Sequence, residues 1–200
     1  MTTAKTSKIR VLAFTGLMAA ISALLMQLQI GIPIFPNFLK LDVSDFPALV
    51  AGYAYGPFAG IWVCLIKNIL HLTVTTTGGV GELSNFILGV FFVVPSAIIY
   101  RFGRKTQKSA FIGAIAGAVT MSIVSIFTNY YIVYPLYYYV MGLTTEHLMH
   151  MYQSKLPSVQ DLWQALVVFN LPLTLAKGAL CTSITFLIYK HISPILHGRK

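Results

Sequence analysis

Apolar residues run along this chain in long blocks that are broken at few places. No charged side chain lies between Arg10 and Lys40, between Asp45 and Lys67, between Glu82 and Arg101, or between Lys108 and Glu146. Each interval encloses apolar stretches near the roughly 20 residues a helix needs to cross a bilayer. A further block over 162–189 is interrupted only by Lys177. These lengths exclude the core helices of an ordinary soluble domain. Gly56-Pro57 divides the second block, because proline cannot continue the preceding helix without disrupting its bonding. The helix left before the break, over about 46–55, is too short at ~1.5 Å per residue to cross a hydrocarbon core about 30 Å thick. Something irregular is expected beside it. Residues 31–37 are apolar but contain Pro33 and Pro36, which suits a loop dipping into the outer leaflet. Non-helical backbone at that depth is tolerated only where protein covers it or where it lines a cavity, so an outward-facing pocket is expected.

Composition agrees: of 200 residues, 56% are hydrophobic and 10% charged, which makes lipid the expected solvent. Charge placement adds orientation. Basic residues gather at Lys5, Lys8 and Arg10, at Arg101, Arg104, Lys105 and Lys108, and at Lys190, Arg199 and Lys200. The positive-inside rule puts all three groups in the cytoplasm, so an even number of spans must separate them. Two helices between Asp45 and Glu82 satisfy this where one would not. The remaining runs, about 109–140 and 162–189, complete an all-α membrane protein with six transmembrane helices, a single domain over 1–200 with cytoplasmic N- and C-termini. Asp42, Asp45, Glu82, Glu146 and Asp161 then fall at or near the outer face. The net charge of +9 reflects orientation rather than nucleic-acid binding, since no soluble basic stripe interleaved with aromatics occurs. The basic start followed by an apolar stretch resembles a signal sequence, but the stretch is long and no small-residue cleavage site follows it; a retained first helix is expected. Cys64 and Cys181 lack the close spacing of metal or redox motifs and are expected to pack as small hydrophobes.

Polar groups inside the blocks are the candidates for chemistry. Lys67 and Asn68 fall near the middle of the third span, Asn129 in the outer half of the fifth, and Lys177 within the sixth. Ionisable residues in spans usually face a site or a partner; the alternatives are a lysine snorkelling to the interface and an asparagine bonding a neighbouring helix. Residues 73–85 form a polar, glycine-rich turn. Gly78-Gly79-Val80-Gly81-Glu82 lacks the Lys-Ser/Thr of a phosphate-binding loop, and nothing else in the chain could hydrolyse ATP. The turn either lets backbone approach a ligand or is an ordinary one capped by Ser84 or Asn85. His147 and His150 can share a helical face, but without a clear third strong ligand a solvated loop is expected and no metal site. His71 is expected to line or support the pocket, and the tyrosines from Tyr130 to Tyr139 to form an interfacial belt with one member at the ligand. No serine-histidine or paired-aspartate arrangement stands out at a shared depth, so an enzyme is not expected. A stand-alone secondary transporter, the alternative, would be expected to show internal repeats or a coupling-ion relay.

Several of these stretches carry a resemblance. Lys40-Leu41-Asp42-Val43-Ser44-Asp45-Phe46-Pro47-Ala48-Leu49, Gly56-Pro57 with Gly60, Lys67-Asn68 with His71, residues 77–86, Asn129-Tyr130, Tyr134-Pro135-Leu136-Tyr137 and Lys177-Gly178 follow in order. Together they resemble the riboflavin-specific substrate-binding subunits of energy-coupling factor transporters. The resemblance implies a subunit of the bacterial cell membrane that captures riboflavin from outside and associates with a transmembrane coupling protein and two cytoplasmic ATPases. Riboflavin would be cargo, with no cofactor; FMN or another vitamin is the alternative ligand. It also implies ligand contacts at Leu41, Asp45, Ala48, Glu82, Asn85, Asn129 and Lys177, with Lys177 donating to the ligand or opposite Glu82 or Asp45. Thr174 stands where relatives commonly place an asparagine, giving one hydroxyl in place of separate amide donor and acceptor groups. Ala13, Gly16, Ala20 and Ala23 place small side chains along one face of the first helix, where helices can approach closely; Ala19 and Ala23 resemble the Ala-x-x-x-Ala motif that docks to the coupling protein.

Overall fold

Helices take up most of the chain, and the long ones largely overlap its apolar blocks. The computed structural model describes residues 8–196, with side chains through residue 188. Lys5, Arg199, Lys200 and the side chain of Lys190 lie outside the described residues. Helix α1 (Lys8–Gln27) leads into a hairpin of two short strands, β1 (Ile30–Gly31) and β2 (Lys40–Leu41), antiparallel with Ile30 opposite Leu41. Next come α2 (Asp45–Tyr55) and α3 (Pro57–His71). They meet at Gly56, whose φ of +101° strongly favours glycine, and Pro57 takes the first helical position, where its missing N–H has no partner to lose. A 3-10 turn (Leu72–Val74) and the glycine-rich turn follow, and α4 (Val80–Phe102) starts directly after a left-handed Gly79. Ser84 and Asn85 therefore stand inside α4 and cap nothing.

A reciprocal capping box starts α5 (Gln107–Thr128): Thr106 Oγ1 accepts from the Ser109 N–H at 3.1 Å, and Ser109 Oγ accepts from the Thr106 N–H at 3.0 Å. A π turn (Asn129–Val133) carries it into α6 (Tyr134–Met141). The chain then forms α7 (Thr145–Gln153), the short α8 (Leu162–Ala165), a second π turn (Leu166–Asn170) and α9 (Leu171–Leu196). Among the described residues five segments are long and apolar enough to cross a membrane: Lys8–Gln27, Pro57–Val74, Val80–Phe102, Gln107–Met141 and Leu162–Ile188. The eleven-residue α2 is shorter than these.

That short helix is the most enclosed element. It packs against α1, α3, α4 and α9, and every residue from Pro47 to Tyr53 is buried. Glycines let its neighbours close in. A Cβ on Gly60 of α3 would stand 2.3 Å from Val93 Cγ1 of α4 and 2.9 Å from the Ala48 carbonyl of α2. At the α4–α5 contact a Cβ on Gly117 would stand 2.3 Å from the Phe92 carbonyl. One buried cluster joins α1 to α5 and includes the free cysteines Cys64 and Cys181 with no exposure. A second, rich in aromatics, joins the hairpin to α6, α7, α8 and the π turns. Leu12, Leu24, Phe58, Trp62, Phe102 and Leu187 point outward, as they can where the surroundings are apolar.

The rotation of α1 differs from the expected docking face. Ala19 is 1% exposed and packs in the first cluster with Thr15, Ser22 and Met26 buried on the same side, and Ala23 is half-buried. Ala13, Gly16 and Ala20 are the exposed small residues. The α1 contact with α3 turns Ala19 inward.

Candidate functional site

A cavity of about 470 Å³ opens between the two clusters, within the range of small-molecule sites. Its roof is the β1–β2 hairpin, which contributes Asn37, Phe38, Leu39 and Lys40. Phe38 fixes the roof through T-shaped ring contacts with Tyr134, Tyr137 and Tyr152, with centroids 6.4, 6.4 and 5.6 Å away. Lys155 adds a bond from its ammonium to the Pro33 carbonyl at 3.0 Å. Phe35, Phe38 and Leu39 thus pack on protein while Ile34 stays exposed, which explains how a proline-bearing stretch can stay non-helical.

Charged side chains build one wall. Lys177 of α9 meets Asp42 Oδ2 at 3.0 Å and Asp45 Oδ2 at 2.9 Å. Lys67 of α3 meets Asp45 Oδ1 at 2.5 Å and donates to Ser44 Oγ at 2.7 Å. The Ser44 N–H donates to Asp42 Oδ1 at 2.8 Å, and the Ser22 hydroxyl of α1 donates to the Ser44 carbonyl. Two ammonium groups balance two carboxylates, and all four side chains are buried or nearly so. Such a group is tolerated away from water only because each charge is paired. Asp42 lies in the connection between β2 and α2. Burial there opposes its ionisation, but Lys177 and Lys67 outweigh it and hold the carboxyl below its ordinary value. Two carboxylates occupy two of the three N–H groups of Lys177, which itself lines the cavity.

Glu82, in the first turn of α4, organises the glycine-rich turn. Its carboxylate takes His71 Nδ1 at 2.8 Å and the hydroxyls of Thr75 and Thr77 at 3.0 and 3.1 Å. Thr75 Oγ1 in turn accepts from the Gly79 N–H at 3.1 Å. The turn is thereby held against the cavity, and Thr76, Thr77, Gly81, Ser84 and Asn85 line it. His71 Nε2 and Asn85 Oδ1 are buried at this wall with no hydrogen-bond partner among the described residues.

The facing wall is uncharged. Tyr134, Tyr152 and Asn170 bond to one another: Tyr152 donates to Asn170 Oδ1 at 2.6 Å, Asn170 Nδ2 donates to Tyr134 Oη at 3.2 Å, and the two hydroxyls are bonded together. Burial pushes the Tyr152 hydroxyl well above its ordinary value, so it stays protonated. Asn129 donates to the Ser125 carbonyl at 2.7 Å. Both amides sit in π turns, Asn129 opening the first and Asn170 closing the second. A π turn holds one residue more than an α turn, which swings side chains out of the regular register and is frequent at functional sites.

Of the residues expected at the ligand, Glu82, Asn85, Asn129, Thr174 and Lys177 come together on the cavity wall. Leu41, Asp45 and Ala48 do not line it. Ala48 has no exposure in the first cluster, Asp45 lies behind Lys177 as its counter-charge, and Leu41 is tied into the hairpin opposite Ile30. Lys177 faces Asp45, as the sequence allowed, while Glu82 is engaged by His71 instead. Lys67 has no exposure and serves the ion pairs, and Asn68 donates to the Cys64 carbonyl of its own helix at 2.7 Å. Tyr134 and Tyr137 leave the interfacial belt to line the cavity, whereas Tyr131, Tyr138 and Tyr139 are exposed. Among the described residues no group of three or more His, Cys, Asp or Glu side chains could hold a metal ion. Asp42, Tyr152 and Asn170 carry no local signal of their roles: Asp42 lies in the Lys40–Leu49 stretch with its cation far along the chain, Tyr152 in a connection expected to be solvated, and Asn170 in an apolar block.

The family described as "ECF transporter, substrate-specific component" matches residues 10–189. The riboflavin transporter FmnP of Bacillus subtilis is 30% identical over 196 residues, 96% of this chain and 97% of that protein. The riboflavin transporter RibU of Staphylococcus aureus is 31% identical over 181 residues, 90% of this chain and 89% of that protein. Among solved structures, the S component of a bacterial ECF transporter superposes with a TM-score of 0.75 at 28% identity, covering 95% of this chain and 99% of that one. ThiT from Listeria monocytogenes gives 0.65 at 13% identity, over 94% and 98%, a likeness of fold.

Proposed function

The chain belongs to the family of substrate-specific components of ECF transporters, and from that membership and the chemistry of the cavity we propose that it captures riboflavin outside the cell for ATP-driven import. The observation that carries the reading is the wall itself. A tricyclic flavin needs an aromatic or aliphatic slot with a few fixed donors and acceptors. Phe38, Leu88, Met121, Tyr134 and Tyr137 supply the slot; Asn85, His71, Asn129 and Lys177 supply the polar groups. The curated relatives named riboflavin transporters support the ligand.

In this reading one six-span domain lies in the bacterial cell membrane with both termini inside. The basic groups mark the cytoplasmic side, and α2 is a shortened span beneath the hairpin roof. Riboflavin is cargo rather than cofactor, and the protein is a carrier rather than an enzyme. Energy comes from a separate coupling protein and two ATPases, consistent with the missing phosphate loop. The coupling protein meets α1 on its exposed small residues, Ala13, Gly16 and Ala20, because Ala19 is packed internally. Gly16 has open space where a Cβ would stand, so Gly16→Leu leaves riboflavin binding intact and lowers uptake; unchanged uptake moves the docking face elsewhere.

The direct test is the absorbance and fluorescence of detergent-purified protein after adding riboflavin and removing the excess by gel filtration. A quenched flavin retained at near-unit stoichiometry supports the reading. Folded protein that retains no flavin overturns it.

A further inference from the structure

We infer that Asn170 is a specificity-determining contact for the flavin, donating its second amide N–H to a neutral acceptor atom, and that Tyr152 of α7 is the positioning residue that aims it. This rests on the flavin reading of the cavity. An asparagine amide carries two N–H donors. In the bonded triad Tyr152 donates to Asn170 Oδ1, Asn170 donates one N–H to Tyr134, and the Tyr134 hydroxyl completes the ring on Tyr152. The ring also closes if the amide is turned over and the direction of donation reversed. Either way the ring uses one N–H and leaves the other.

That second N–H has no partner among the described residues, in a residue only 3% exposed that lines the cavity. A buried donor without a partner is costly, and the open side of Asn170 is the cavity. A carbonyl, ring nitrogen or ribityl hydroxyl of a flavin is an acceptor of the right kind. The π turn that ends at Asn170 swings the residue out of helical register. The hydroxyls of Tyr134 and Tyr152 then hold the amide plane, so the donor is aimed before the ligand arrives and little rotamer freedom is lost on binding.

The consequence reaches α7. Although Tyr152 is not itself a cavity residue, its hydroxyl holds the amide, which gives the connection between α6 and α8 a role in selectivity. The test is equilibrium binding to the full-length protein in detergent, read by flavin fluorescence, with thermal melting to show that each variant is folded. Riboflavin and lumiflavin, which lacks the ribityl chain, are the probes. Asn170→Ala and Asn170→Asp, which both remove the free N–H, are expected to weaken riboflavin binding about tenfold or more, the scale of one lost buried hydrogen bond. Tyr152→Phe keeps the amide but frees it and is expected to lose severalfold, with no further loss when combined with Asn170→Ala. If lumiflavin shows the same loss, the acceptor is on the ring system; if it shows none, the acceptor is on the ribityl chain. Full riboflavin affinity in folded Asn170→Ala or Asn170→Asp protein overturns the inference, as does full additivity with Tyr152→Phe. Wild-type protein that retains no flavin defeats the flavin reading and this inference with it, whereas wild-type retention with unaltered variants defeats this inference alone.

Discussion

The two sides of the cavity use opposite chemistry to hold polar groups away from water. On one side Asp42, Asp45, Lys67 and Lys177 form linked ion pairs across the β2–α2 connection, α2, α3 and α9. On the other, Tyr134, Tyr152 and Asn170 share hydrogen bonds with no formal charge. Both bond their members to one another, but they should fail differently. Removing one member of a buried ion pair leaves its partner charged and unpaired, at a cost of about 3–5 kcal/mol. Removing one neutral hydroxyl costs about 0.5–1.5 kcal/mol when the site can relax. The charged side should therefore govern whether the fold holds, and the neutral side how finely the ligand is read.

The largest effect should follow Asp45→Ala, which strips the counter-charge from Lys67, a side chain with no exposure. A loss of about 3–5 kcal/mol in stability is expected, read as a lower melting temperature in detergent. Asp45→Ala combined with Lys67→Met should recover part of it. No recovery would mean that the pairs are not a unit. Next is Lys177→Ala, expected to weaken riboflavin binding by about 1–3 kcal/mol and also to destabilise the ligand-free protein, because Asp42 loses its partner. Asn129→Ala should weaken binding by a similar or smaller amount, about 1 kcal/mol, while leaving the ligand-free melting temperature nearly unchanged. That contrast separates the walls: a variant of the neutral side that destabilises as much as Asp45→Ala would erase it. Tyr134→Phe should cost about 1 kcal/mol of stability.

The smallest expected effect is that of pH. Asp42 has a carboxyl held below its ordinary 3.8. Its contribution to stability is present above that value and is lost only as pH falls through the lower folded one. Its share of the stability should therefore not change between about pH 5 and 8. Asp42→Asn protein, compared by melting across the same window, measures that share; a difference that grows steadily from pH 8 to 5 would contradict it.

Much of this arrangement was legible in the chain, and the physical reasons differ by residue. The apolar blocks delimit the long helices because a span needs a minimum length. The break at Gly56-Pro57 and the non-helical stretch through Pro33 and Pro36 follow from what proline forbids. Lys177 drew attention because a cation in an apolar block needs a reason. Its pairing with Asp42, 135 residues away, is a tertiary fact with no local signal, and the same holds for the Tyr152–Asn170 bond. The inward turn of Ala19 depends on how α1 rotates against α3, which a stripe of small residues cannot decide because both faces of α1 carry them. The two π turns also shift register where simple helical periodicity predicts none.

The separation of Asp42 from Lys177 has a consequence for biosynthesis. A membrane protein is inserted from its N-terminus, so the segment bearing Asp42 and Asp45 enters the bilayer region long before α9 has been translated. During that interval Lys67, from the helix just behind, is the available cation for two carboxylates. The half-made protein is then short of one cation, and the arrival of Lys177 completes both the charge balance and the charged wall of the cavity. Chains truncated before α9 should accordingly remain open to quality-control proteolysis, and completion of the binding site and completion of the fold should occur in the same step.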